Sequence, residues 1–340
     1  MTVLLEKRRL IVSPGLVPAQ QRREDQFGHP KNVDADLTIG LINNMPDAAL
    51  QATERQFMRL LRHAAGNIRV DFHCFSLPSV SRSQSARTRI DTHYTDIAEL
   101  GRLPIDGLIV TGAEPNAGEL QAETFWHEFT DIVDWAKDNT RSTIWSCLGA
   151  HAAVLHLDGV GRRRLETKCS GIYECSSVSS HWLMDGMLSP FKIAHSRLNE
   201  LHANELRAKG YDLLSVSSKG GVDSFARNVG SQFIFFQGHP EYEALSLERE
   251  YLRDISRFLA GERDRYPGIP VGYFDAETEQ KLAAFAVRAQ RERRPALNSE
   301  LPERNLRQDI ATGAAAIVMF RNWLDFLSER ARAPFPETNI

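Results

Sequence analysis

Ser142-Thr-Ile-Trp-Ser-Cys147-Leu-Gly-Ala-His151 is the stretch whose reading decides the fold. Ser142 to Ser146 reads as a short buried strand. The run Gly149-Ala-His-Ala-Ala-Val-Leu-His reads as a helix that begins at once, so Cys147 sits on a sharp strand-to-helix turn. A side chain at such an elbow stands above the carboxyl edge of a parallel sheet. The helix N-terminus beneath it favours a thiolate and offers free N–H groups to an oxyanion. A lone free Cys is more often a buried core residue, and here it would simply end a core strand. Residues far along the chain argue for chemistry instead.

A second β-rich apolar run, Val229-Gly-Ser-Gln-Phe-Ile-Phe-Phe-Gln, stops at Gly238 and leaves His239 at a strand end. Pro240 disfavours the helical conformation for His239 and keeps the backbone extended. In extended chain, side chains two apart point the same way, so Glu241 shares a side with His239. This is the arrangement of a base and its orienting carboxylate. Cys147 completes a nucleophilic triad if the fold brings the strand ends together. The same His-Pro-Glu run is also compatible with an ordinary capped loop.

Outward from these points the chain alternates strands and helices. Asp36-Leu-Thr-Ile-Gly-Leu-Ile42 is a strand, Asn43-Asn-Met-Pro46 a turn, Asp47 an expected N-cap, and Leu50, Thr53, Phe57, Leu60 and Leu61 mark a helix from Ala48 to His63. Strands are expected at 70–76 and 105–111, a polar helix at 88–100, and an amphipathic helix from Phe125 to Asp138. Cys74 reads as a small core residue. The strand ending at Thr111 runs into Gly112-Ala113, a place where backbone can approach a ligand closely. Residues 160–230 carry short β segments, which form either an antiparallel edge or a cap. Helices follow at 245–259, 278–291 and 312–330, the last with Ile317, Phe320, Trp323, Leu324 and Leu327 on one face for core or dimer contact. The expected fold is α/β: a mainly parallel, doubly wound sheet with short additional β segments and C-terminal helices, its ligands bound outside the carboxyl ends of the strands.

Composition bounds the function classes. With 340 residues, 42% of them hydrophobic, the chain can bury a substantial core. A net charge of -3 gives no electrostatic reason to expect nucleic acid, and no apolar run reaches the length of a membrane span. Arg162-Arg-Arg164 reads as a solvated loop. Too little apolar sequence follows Lys7-Arg-Arg9 for a signal-peptide core, so cytoplasmic residence is expected. The four cysteines, at 74, 147, 169 and 175, show no metal-type spacing. There is no phosphate-loop or dinucleotide glycine motif, and no metal or cofactor is expected.

Gly238-His-Pro-Glu-Tyr with Cys147 on its elbow resembles the class I glutamine amidotransferase fold, and more closely the homoserine O-acyltransferases (homoserine transsuccinylases) of methionine biosynthesis. Asn43-Asn-Met-Pro46, Asp106-Gly-Leu-Ile-Val-Thr-Gly-Ala113, Trp135-Ala-Lys, Lys168-Cys-Ser-Gly-Ile-Tyr-Glu174, His195-Ser-Arg197, Arg253-Asp254 and Asn322-Trp-Leu324 also resemble segments of that family, in its order. The resemblance spans roughly 37 to 330. It implies an N-terminal arm at 1–36, a single acyltransferase domain at 37–330 and a tail at 331–340.

That resemblance implies transfer of an acyl group from acyl-CoA, through a thioester on Cys147, to the hydroxyl of L-homoserine, with His239 as base and Glu241 holding its ring. It implies oxyanion donors at Leu148 and the Ala113-Glu114 turn, and substrate contacts at Arg253, Arg197, Lys168 and Ser196. An Arg fork suits the acceptor's carboxylate, and Arg253 lies on the helix directly after the base, whereas Arg249 reads as surface. Glu174 is expected to support from behind. The chain departs from the family in three places. Met45-Pro46 leads into Asp47-Ala48-Ala49 rather than a lysine, Leu148 replaces a Trp, and His151 stands where Gln is common, with a structural role expected for it. At the family's donor-choice position, typically Glu or Gly, stands Asn116. An uncharged residue leaves room for a succinyl carboxylate, so succinyl-CoA is the expected donor; Glu114, two residues away, would favour acetyl-CoA if it took that place. A homodimer is expected, with small-molecule substrates only. The rivals are a homoserine or serine acetyltransferase, a glutaminase, which would need an ammonia-accepting domain or subunit, and a non-catalytic binding module, which would not need a full triad.

Overall fold

The computed structural model of the protein describes residues 4–6, 9–11, 35–113, 115, 118–308 and 313–331. Of the N-terminal arm, a small hairpin is described, β1 (Leu4–Glu6) paired antiparallel with β2 (Arg9–Ile11). Most of the rest of the arm and nearly all of the tail lie outside the described residues.

The chain then lays down β3 (Leu37–Ile42), α1 (Asp47–Ala64), β4 (Val70–Phe75), α2 (Gln84–His93), β5 (Gly107–Thr111), α3 (Trp126–Asn139), β6 (Ser142–Ser146) and α4 (Leu148–Asp158). There follow β7 (Arg163–Ser177), β8 (Phe191–Glu200), α5 (Ala203–Ala208), β9 (Asp212–Ser217), β10 (Gly221–Asn228), β11 (Gln232–Phe236), α6 (Ser246–Leu259), α7 (Ala276–Glu292) and α8 (Gly313–Ala331). One nine-stranded sheet runs β4-β3-β5-β6-β11-β10-β9-β7-β8. From β4 to β11 the strands are parallel. From β11 to β8 they are antiparallel, so the 160–230 region is an extension of the sheet and not a cap.

The pleat divides the core. Trp145, Phe233 and Phe235 pack on one side with Phe129 and Val133 of α3, while Ile144, Ile234 and Phe236 face the other with Phe57 of α1 and Phe320 and Trp323 of α8. The apolar face of α8 is therefore core and not a dimer contact, with Ile317 at its half-buried margin. A Cβ on Gly107 would fall 2.6 Å from Leu327 and 2.7 Å from Trp323, so this glycine lets α8 lie directly on β5. A separate cluster joins α6 and α7 through Tyr251, Ile255, Phe258, Leu282 and Phe285. Among the described residues no helix is long and apolar enough to cross a membrane.

Three local expectations are corrected. Pro46, not Asp47, takes the N-cap place of α1. Asp47 turns outward, where its carboxylate accepts from the Ser83 amide at 2.8 Å and from Arg82 at 3.4 Å. Burial opposes its ionisation, but these bonds outweigh burial and hold its pKa below the usual carboxylate range. The polar helix starts earlier than periodicity suggests because Ser83 caps it, accepting from Ala86 N, and it ends at extended Tyr94. Arg162 is not solvated: it is half-buried, facing Glu119 and Glu123, while its two neighbours open β7.

Candidate active site

The parallel half of the sheet delivers Cys147. Its amide donates to Phe236 O at 2.7 Å, tying the end of β6 to the end of β11. Its backbone then turns at φ 49°, ψ -110°, a left-handed conformation that a side-chain-bearing residue adopts only at a cost of about 1–3 kcal/mol. Two glycines make the elbow possible. A Cβ on Gly112 would lie 2.4 Å from the Leu148 Cβ, and one on Gly149 would lie 2.8 Å from Val110 O. The start of α4 is thus pressed against the β5 end, with Leu148 and the Gly149 amide packed on Gly112, so the unbonded first donors of the helix begin beside this turn. Asn44 braces the same edge, its amide donating to Thr111 Oγ1 at 2.8 Å.

His239 follows β11 after two residues. Its Nδ1 lies 2.8 Å from Glu241 Oε1, both side chains nearly fully buried, which leaves its other nitrogen for the Cys147 thiol, close enough to act on the ring electrostatically. The imidazole stacks on Tyr242 with centroids 4.1 Å apart. Burial alone would lower its pKa, but the Glu241 carboxylate and Cys147 overcome burial and raise it well above the ordinary histidine value. The expected His239–Glu241 contact is present but not by extended alternation: Pro240 and Glu241 form a turn closed by the Tyr242 amide donating to His239 O at 3.3 Å, and it is this turn that folds the carboxylate back onto the ring. His151 is not the base: it is buried against Gln237 Oε1 at 3.0 Å, and burial pushes its pKa to about 3.

A second polar centre lies behind Tyr242. Tyr242 donates from its hydroxyl to Glu250 Oε1 at 2.7 Å, and Ser196 donates to Glu250 Oε2. Lys168 reaches Asp254 at 3.0 Å and Glu250 at 3.6 Å. Burial raises the pKa of both acids, but Lys168 and the hydrogen bonds outweigh burial and hold each below its usual range. Arg253, its side chain 43% exposed, lies 3.5 Å from Asp254, which Arg263 also approaches. Lys168, Ser196 and Arg253 thus meet beside the base. The hub residue, Glu250, escaped sequence reasoning. Its one local signal is its place on α6, one turn before Arg253 and facing the same way.

Arg197 is not brought to this network. Its fork is buried and donates to Asn199 O at 3.0 Å and to Gly220 O, so it holds main chain together and does not face a substrate. Glu174 is exposed on β7 and supports nothing at the site. Against the Asn43-Met45 turn, a buried Arg82 enters from the loop between β4 and α2 and donates to Asn43 O at 3.1 Å and to Met45 O. Ala113 is buried beside the elbow. Glu114 and Asn116 lie outside the described residues.

The family model described as homoserine O-succinyltransferase matches residues 24–333. The chain is 52% identical to a homoserine O-succinyltransferase of Bradyrhizobium japonicum, over 97% of this chain and 100% of that one. It is 54% identical to that of Rhodopseudomonas palustris, over 95% of this chain and 98% of that one. Among solved structures it is similar to a glutamine amidotransferase from Thermotoga maritima, with 13% identity, 78% of this chain and 96% of that one covered, and a TM-score of 0.45.

Proposed function

This chain belongs to the homoserine O-succinyltransferase family, and we propose that it moves a succinyl group from succinyl-CoA to the hydroxyl of L-homoserine by way of an acyl-cysteine. The observation that carries the mechanism is Cys147 on its strained elbow, its amide tied to the end of the strand that leads to His239, with Glu241 2.8 Å from the His239 ring.

In the first half-reaction the Cys147 sulfur attacks the thioester carbon, His239 takes the thiol proton, and the collapsing tetrahedral adduct expels CoA sulfur, which receives that proton. The adduct's oxyanion is met by the Leu148 amide and the Gly112-Ala113 turn. In the second, His239 removes the acceptor's hydroxyl proton, the oxygen attacks the acyl-cysteine, and the Cys147 thiolate leaves to regain a proton from the imidazolium. Arg253 takes the acceptor's carboxylate, because its guanidinium is half-exposed beside the Ser196, Lys168 and Glu250 network. The scheme needs no cofactor, only acyl-CoA as a substrate, and a CoA substrate suits a cytoplasmic enzyme.

The test is a panel of homoserine or serine against succinyl-CoA or acetyl-CoA, following released CoA thiol, with glutamine hydrolysis as control. Homoserine with succinyl-CoA should give the highest kcat/KM. A preference for acetyl-CoA of about tenfold or more, roughly 1.4 kcal/mol in transition-state binding, would overturn the donor. Ammonia release from glutamine at a comparable rate would overturn the reaction class.

A further inference from the structure

The chemistry uses the side chain of His239, yet the turn that carries it rests on a second buried pair with no part in the scheme above. His195 of β8 and Asp223 of β10 are both fully buried. His195 Nε2 lies 3.2 Å from Asp223 Oδ1, off the line of a full hydrogen bond, and among the described residues neither atom has another partner. The carboxylate's other oxygen accepts from Ser215 at 2.6 Å. The tautomer of His195 follows from its surroundings. Arg197 Nε approaches Nδ1 at 3.5 Å and a guanidinium can only donate, so Nδ1 holds the lone pair and Nε2–H points at the carboxylate.

The residues that carry this pair also hang the catalytic turn. Gln237 N donates to Asp223 O, and His239 N donates to Ala194 O, next to His195, both at 2.7 Å. Between them Gly238 lies flat on the pair: a Cβ there would sit 2.4 Å from Asp223 Oδ1 and 3.0 Å from His195 Nε2. We propose that the His195–Asp223 pair is a positioning element for the base, setting the height of the Gln237-Gly238-His239 turn and thereby the reach of the imidazole to Cys147. The inference rests on His239 being the base.

A buried carboxylate with one oxygen on Ser215 and the other facing a single imidazole N–H is a costly spacer, since an apolar pair would avoid the desolvation. What it offers is a fixed separation: shortening is opposed by the polar groups' contact, lengthening by loss of the partner facing Asp223 Oδ1. Cys175 Sγ lies within 4.8 Å of the ligand atoms of both residues, which raises the alternative of a metal site. The tautomer argues against it. Metal on Nε2 would require a proton on Nδ1, aimed at the Arg197 N–H.

The experiment times acyl-enzyme formation on Cys147 by rapid quench and intact mass, and separately records the pH profile of Cys147 alkylation by iodoacetamide, which needs no substrate. In Asp223→Asn and His195→Leu, acylation should slow by about tenfold or more while half-saturation by acyl-CoA stays within about twofold, and the acid limb of the alkylation profile should move to higher pH. His195→Gln, whose amide can still donate to Asp223, should recover most of the rate. Gly238→Ala lifts the turn with both partners intact and should give the same signature, so a failure of Asp223→Asn or His195→Leu to fold leaves the idea testable. Asp223→Asn and Gly238→Ala acylating within about twofold of wild type, while His239→Asn is slow, would overturn the pair alone. A normal alkylation profile in His239→Asn would overturn both the pair and the reading of His239 as base. One equivalent of zinc bound to the wild type and lost in Asp223→Asn would replace the pair with a metal site.

Discussion

The two halves of the site are built differently. Cys147, His239 and Glu241 hang from the ends of parallel β6 and β11, held by main-chain bonds and by one strained dihedral. Lys168, Ser196, Glu250 and Arg253 come from the antiparallel β7 and β8 and from α6, and are held to one another almost wholly by side-chain charge. The first half is positioned by backbone and the second by electrostatics. Substitutions in the first should therefore strike the chemical step at near-constant binding, and those in the second should strike binding and pH-dependent stability.

The sharpest contrast comes from the nucleophile. Cys147→Ala should leave no acyl adduct by intact mass after mixing with acyl-CoA and should cut kcat by about 10⁴-fold or more, whereas Cys74, Cys169 and Cys175 substitutions should keep the adduct. An adduct surviving in Cys147→Ala would break the assignment of the backbone-held half. Next in size is Glu241→Gln, which keeps an acceptor for Nδ1 but removes the charge that raises the His239 pKa. Its kcat should fall by about 100-fold with acceptor KM near wild type, as expected when the imidazolium formed during proton transfer loses its counter-charge. A change confined to KM would place Glu241 in the other half.

These two regions also differ in how far they could be read in advance. The elbow and the His-Pro-Glu spacing are local: a strand stopping into a helix, and two side chains two residues apart beside a proline, each carry their geometry within ten residues. Glu250 meets Ser196 across 54 residues and Asp254 meets Lys168 across 86, and no periodicity encodes such meetings. Arg82 shows the same blindness in reverse. Nothing in the polar run around Arg82 signals burial, yet main-chain carbonyls of the Asn43-Met45 turn draw this guanidinium inside. Arg197 came into the reading by resemblance, and only the carbonyls of Asn199 and Gly220 reveal that its donors are spent. The alternating apolar runs were enough for the parallel half of the sheet. The 160–230 strands were visible as strands, but whether they joined the sheet depended on partners distant in sequence.

Arg253→Ala tests the charge-held half directly. Losing a charge-assisted contact to the acceptor's carboxylate should cost about 2 kcal/mol, some 30-fold in kcat/KM for homoserine, with acylation of Cys147 nearly unchanged. Loss of the acyl-enzyme in a folded Arg253→Ala protein would move this residue out of the acceptor site.

The smallest effect is one of stability. Lys168 holds the pKa values of Glu250 and Asp254 below their ordinary 4.5 and 3.8. A depressed carboxylate pKa contributes stability that is present above the unfolded value and is lost as pH falls through the folded one. Lys168→Met leaves buried Glu250 without its cation and Asp254 with only Arg253 and Arg263, so at neutral pH it should be less stable than wild type by about 1 kcal/mol, a figure kept small because Lys168 is partly exposed. As the pH falls below about 4.5 the wild type surrenders that stability while the variant, its acids already favouring protonation, does not, so the two denaturation midpoints should converge. Midpoints that stay parallel from neutral pH to about 3 would mean that the network is held by packing rather than charge, and the division between a backbone-held and a charge-held half would no longer stand.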